Sequence, residues 1–107
     1  MQQNELNELL TKAKELLREE TTQISYDTWI KDLEIESMEN GNVVLLSSTS
    51  FNRDTVEARY HVLLVNTFNY LTNKECSVSI LSKEEIQKNK ADGISNNIIE
   101  NNITRFL

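Results

Sequence analysis

Catalysis needs groups that converge, and this sequence has few to offer. Its single histidine, His61, lies between Tyr60 and Val62 in a run with helical spacing. Any Ser-His-Asp or Cys-His arrangement would have to use it, and no motif surrounds it, so it reads as a surface or boundary histidine. One cysteine, Cys76, and one histidine cannot make up a structural zinc set. Cys76 also has no partner for an internal disulfide, which suits a reducing cytoplasm. Glu19 with Glu20 and Glu84 with Glu85 are adjacent pairs on solvated faces, not carboxylates opposed across a cleft. With glycine only at positions 41 and 93 there is no phosphate-cradling loop, no dinucleotide fingerprint and no GxxG clamp for single strands. The expectation is a protein that is not an enzyme and takes no cofactor and no metal.

The elements that would position side chains are easier to read. The 107 residues suffice for one domain with a modest core, and at 38% hydrophobic part of the chain is expected to stay unpacked. A net charge of -6 argues against a general electrostatic grip on nucleic acid. No signal-peptide pattern and no apolar run of bilayer length is present, so the expectation is a soluble, cytoplasmic protein with no membrane partner.

Leu6, Leu9, Leu10, Ala13, Leu16 and Leu17 form one helical stripe, with Asn4 as the expected N-cap. "TTQIS" interrupts it. Ser25 is then the expected cap of a short second helix that places Tyr26, Trp29 and Ile30 on one side. Leu33 to Ser37 alternates as a strand, with Leu33 and Ile35 inward. Asn40-Gly41 is a strong hairpin signal, because both residues tolerate positive φ. The apolar run "VVLLS" reads as a returning strand that is central or buried on both sides. A long helix follows, capped by Ser48, Thr49 or Ser50 and closed by Asn73, and "CSVSIL" alternates as a third strand. The order helix-helix-strand-strand-helix-strand predicts a small α+β domain, a three-stranded sheet packed by helices, over residues 1–81.

Residues 82–107 are rich in Asn and charge and read as a linker or tail. Within them Ile99, Ile103, Phe106 and Leu107 fall at i, i+4, i+7 and i+8, the pattern of a short docking helix over 98–107.

On a wheel of 100° per residue the long helix has two apolar sides. Val56, Tyr60, Leu63, Leu64, Thr67 and Leu71 form the expected core face. Phe51, Thr55, Ala58, Val62 and Val65 form a second stripe on the opposite side, with Arg59 at its border. Phe51 sits in the first turn among Asn52, Arg53 and Asp54, an apolar centre with a polar rim, as interface anchors have.

The segments "ISYDTWIKDLEIES", "VVLL" and "FNRDTVEARY…LTNKECSVSIL" together resemble the N-terminal domain of the bacterial chromosomal replication initiator DnaA. Tyr26 and Trp29, followed by Ile30 and Lys31, match the short helix of that family. Phe51, Arg53, Asp54, Glu57, Arg59 and Tyr60 match the start of its long helix. The likeness covers about residues 5–81 and implies a compact KH-like fold. It also implies a protein–protein hub that self-associates, contacts the replicative helicase or its loader, receives regulators of initiation, and touches single-stranded DNA weakly.

In the family the residue matched by Phe51 lies on the partner-binding surface. Thr49, Asn52, Thr55, Ala58, Arg59, Val62 and Ser25 complete that expected face. Leu6 and Leu10 are the expected self-association residues, and Leu10 stands where some members carry a Trp. Lys31, Arg53 and Arg59 are the expected nucleic-acid contacts. Thr55 also departs from the family, which usually has Trp there. The likeness reaches neither the ATPase domain nor the DNA-reading domain of the family, so it implies no ATPase activity. Two other readings stand beside the adaptor: a weak single-stranded nucleic-acid module, and a stand-alone copy that competes with the full-length initiator for its partners.

Overall fold

A computed structural model describes residues 2–86 of the 107. The expected element order is found. Helix α1 (Gln3–Glu20) is followed by a helical turn, α2 (Gln23–Ser25), which runs straight into a π-helix (Tyr26–Ile30). Strands β1 (Glu34–Glu39) and β2 (Asn42–Ser47) come next, then the long helix α3 (Ser50–Thr72) and strand β3 (Ser77–Ser82).

The sheet order is β1-β2-β3, with β1 antiparallel to β2 and β3 parallel to β2. The β1–β2 turn is built by Asn40 (φ 54°) and Gly41 (φ 78°), the paired positive φ that a tight hairpin requires. A parallel return of β3 needs a long crossover, and α3 provides it. Residues from α1, the π-helix, α3 and one face of the sheet share a single core that includes Leu17, Ile30, Val43, Leu45, Val56, Leu64 and Phe68.

The cap residues differ in part from the expectation. Gln2, not Asn4, is the N-cap of α1, and its backbone N–H donates to Glu5 Oε1 at 3.1 Å. Asn4 therefore falls inside the first turn. Thr22, not Ser25, caps the second helix: Thr22 Oγ1 accepts the Ser25 N–H at 3.1 Å, so the break in pattern is shorter than it looks. Thr49 caps α3 by accepting the Asn52 N–H at 3.1 Å, and Asn73 closes it in the left-handed region, φ 57°.

Burial adds detail to three further readings. β2 is central, one of its two expected placements, and its burial alternates: Val43 and Leu45 are fully buried, while Val44 and Leu46 on the other face are half-buried. The core arc of α3 is wider than the wheel suggests, because α3 packs on the sheet, on α1 and on the π-helix at once. Phe68 is therefore fully buried, while Leu63, Leu71 and Val65 are partly buried against the core. Order also runs past residue 81. Ser82 is fully buried, and residues 83–86 form one helical turn beside the start of α3. The docking helix expected over 98–107 lies outside the described residues.

Candidate functional site

The first turn of α3 carries the most exposed aromatic of the partner stripe. Phe51 is 71% exposed, although it is large and apolar. Among the described residues its aromatic neighbour is Trp29, with ring centroids 5.9 Å apart and planes inclined by 52°, a tilted arrangement that aromatic pairs favour. The π-helix brings Trp29 there. Tyr26 and Ile30, four residues apart, are buried in the core, while Trp29 stays half-buried at the rim. Ile24, one turn earlier, is 80% exposed.

Further along α3, Ala58 and Val62 are exposed and Thr55 is half-buried. With Phe51 they fall at i, i+4, i+7 and i+11, a ridge about 16 Å long at 1.5 Å per residue. Thr55 Oγ1 donates to the Phe51 carbonyl at 3.1 Å, so its methyl is the part left to the surface. Asn52 Nδ2 donates to Ser48 Oγ at 3.1 Å and so spends its polarity on the capping loop that includes Thr49. Ser25 is half-buried on the short helix.

The other expected site residues separate by burial and by pairing. Leu6 is buried in the core at 3% exposure, because its stripe position faces the protein interior. Leu10, the other residue expected to serve self-association, is only partly buried. Of the basic residues, Lys31 and Arg59 are exposed, and the Arg59 guanidinium lies 5.7 Å from the Tyr60 ring centroid. Arg53 is half-buried between two carboxylates, Asp54 at 2.9 Å and Glu85 at 3.5 Å. Arg53 and Arg59 are six residues apart on a helix and so point about 120° from each other. Of the three, Arg53 and Arg59 therefore leave α3 in different directions.

His61 Nδ1 lies 3.0 Å from Glu57 Oε2 one turn earlier on α3, an ordinary helix pair. Among the described residues no three His, Cys, Asp or Glu side chains come together as a metal site would need. No described helix is long and apolar enough to cross a membrane. Lys14, on α1, is partly buried. Partial burial pushes its ammonium below the usual lysine value, against the opposing pull of Asp32 and Glu34. Its Nζ donates to the Lys31 carbonyl at 2.6 Å, tying α1 to the end of the π-helix.

Sequence reasoning missed the Trp29–Phe51 contact and the exposure of Ile24. The signal for Ile24 was Thr22, which caps a turn that already includes it.

A family model for the DnaA N-terminal domain matches residues 7–70, more than half of the chain. The chain belongs to the DnaA N-terminal domain family. Two solved structures share its fold. One is a chain from the crystal structure of a HobA–DnaA (domain I–II) complex from Helicobacter pylori, with a TM-score of 0.63 and 14% identity. That match covers 70% of this chain and 97% of the other. The second is the N-terminus of the chromosomal replication initiation protein DnaA from M. genitalium, with a TM-score of 0.54 and 20% identity, covering 94% of this chain and 95% of that one. The matched family segment contains Trp29, Phe51 and the whole ridge to Val62.

Proposed function

We propose that this DnaA-type N-terminal domain is a protein–protein interaction module of a replication initiator, with Phe51 and Trp29 at the centre of its docking face. The observation that carries this reading is the 71% exposure of Phe51 in a turn otherwise tied down by hydrogen bonds. Leaving a large aromatic in water forgoes most of the ~1.5–3 kcal/mol that its burial would yield, so a partner that covers it gains that amount. Val62, largely exposed, extends the apolar ridge along α3, and Asn52, Asp54 and Arg59 supply a polar rim. The neighbour from the HobA–DnaA complex supports the general idea that domains of this fold dock proteins.

The partner classes in this reading are the replicative helicase or its loader, regulators of initiation, and a second initiator molecule, the last through the α1 surface around Leu10. Contact with single-stranded DNA would have to rely on Lys31 and Arg59, since Arg53 already faces two carboxylates. That is a thin set against a charge of -6.

The test is a chemical-shift titration of the labelled chain with helicase, loader, full-length initiator and single-stranded DNA at two salt concentrations. The expected result is perturbation centred on Trp29, Phe51 and Val62 by a protein, with little salt dependence. Perturbation of that ridge by DNA alone, weakening steeply with salt, would overturn the reading.

A further inference from the structure

We propose that Ser82, the last residue of β3, and Glu84 and Glu85 just beyond it are positioning residues for Phe51, so that the docking face depends on the end of β3 and the turn that follows. This inference rests on the reading of Phe51 as a partner contact, but its mechanism is visible without any partner.

The first turn of a helix leaves backbone N–H groups without intrahelical acceptors. In α3, Thr49 takes the Asn52 N–H through its hydroxyl and the Arg53 N–H through its carbonyl. The Ser50 N–H is taken from outside the helix, by Glu84 Oε1 at 2.8 Å. A carboxylate at that place is favoured twice, by a charge-assisted hydrogen bond and by the positive end of the helix dipole. Two side-chain contacts join the same parts. Ser50 Oγ meets Ser82 Oγ at 3.2 Å, and Arg53 Nη2 lies 3.5 Å from Glu85 Oε2. Phe51 is thus flanked in sequence by residues 50 and 53, both bound to the turn at 82–85.

That turn is itself anchored. Ser82 is fully buried, ends β3 and pairs in register with Ser47 of β2, whose hydroxyl donates to the Thr49 carbonyl. Ser82 Oγ accepts the Glu85 N–H at 3.1 Å and lies 3.0 Å from Glu85 Oε1, so "SKEE" opens a helical turn with a Ser cap and a Glu three residues on. A single exposed ion pair would fix little. Here three contacts converge on one turn of α3 from a base set in the sheet. The backbone of that turn sets the direction in which the Phe51 side chain leaves toward Trp29. The latch therefore sets how the Phe51 ring meets Trp29 and how it is presented.

Trp29 is the only tryptophan, so its fluorescence reports the latch directly. The whole chain is compared with Phe51→Ala, with the double variant Glu84→Ala/Glu85→Ala, with Glu84→Gln, and with a charge-matched control on α1, Glu8→Ala/Glu15→Ala. Acrylamide quenching of Trp29 is measured beside the thermal midpoint. The double variant should raise quenching by at least half of the rise seen in Phe51→Ala, with a midpoint near that of the control. Glu84→Gln, which still offers an oxygen to the Ser50 N–H, should keep most of the wild-type protection. Wild-type quenching in the double variant, or an equal rise in the control, would overturn the latch. That result would leave the docking reading intact, because no partner enters the measurement.

Discussion

Phe51 and Phe68 are the same side chain on the same helix, and they have opposite fates. Phe68 has no exposed surface, and Phe51 is 71% exposed. Around Phe68 the chain closes in. Cys76 is held by its N–H to Asn69 Oδ1 at 2.6 Å, Thr72 Oγ1 donates to the Phe68 carbonyl, and the Ser77 N–H donates to Gly41 of the hairpin turn. Around Phe51 the bonds are as many, but they run along the backbone and its caps and leave the ring uncovered. Near one end of α3 Phe68 is spent on folding, although Tyr70 two residues on is 76% exposed, while the other end keeps Phe51 fixed and available. Residue type does not decide between these outcomes; what the neighbouring elements place opposite each turn does.

Four substitutions or titrations would break or sharpen this contrast. Phe68→Ala should cost about 3–5 kcal/mol through lost burial and a cavity, a large part of the stability of a domain this small. Thermal unfolding should show a fall in midpoint of well over ten degrees, taking roughly 4–8 °C per kcal/mol. A small fall would mean that the Phe68 end is not the fixed one. Gly41→Ala comes next. The residue has φ 78°, and an added Cβ would stand 3.1 Å from the backbone oxygen of Glu75. A loss of about 1–2 kcal/mol in denaturant titration is expected from the left-handed strain.

Phe51→Ala should cost no more than about 1 kcal/mol, the order of one exposed aromatic pair. The smallest effect belongs to Lys14. Its side-chain NMR titration should give a midpoint below 10.5. Between that midpoint and 10.5 the unfolded chain holds more protons than the folded one. The contribution of this group to stability should therefore rise with pH across that window, and its desolvation cost should be fully present below it.

Much of the fold was legible because its signals are local. Asn40-Gly41 announced the hairpin by tolerance of positive φ, and Asn73 announced the end of α3 for the same reason. The alternation of "CSVSIL" gave a strand whose Val78 and Ile80 are indeed buried. What stayed hidden depends on parts distant in sequence. Phe68 fell outside the expected core face because a wheel assumes one neighbour, whereas α3 has several. The π-helix that brings Trp29 to the rim has no sequence signature in "YDTWI", and the contact it makes with Phe51 spans two elements. Leu6 was expected beside Leu10 as a self-association residue, and the packing of α1 places its side chain inside. Ser82 looked like the start of a linker because "SKEE" is polar, yet the hydroxyl is buried between strand and helix. The exposure of Phe51 was legible from its polar flanks.

If the Phe51 end of α3 serves docking rather than folding, binding and stability separate there, and one paired measurement reads both. Phe51→Ala and wild type are compared in thermal unfolding and in calorimetric titration with replicative helicase, helicase loader and full-length initiator. The expected result is a midpoint within a few degrees of wild type together with at least a tenfold loss of affinity for the protein that binds, about 1.4 kcal/mol. A variant that unfolds many degrees earlier, or one that keeps its midpoint and binds that protein as tightly as wild type does, would contradict it.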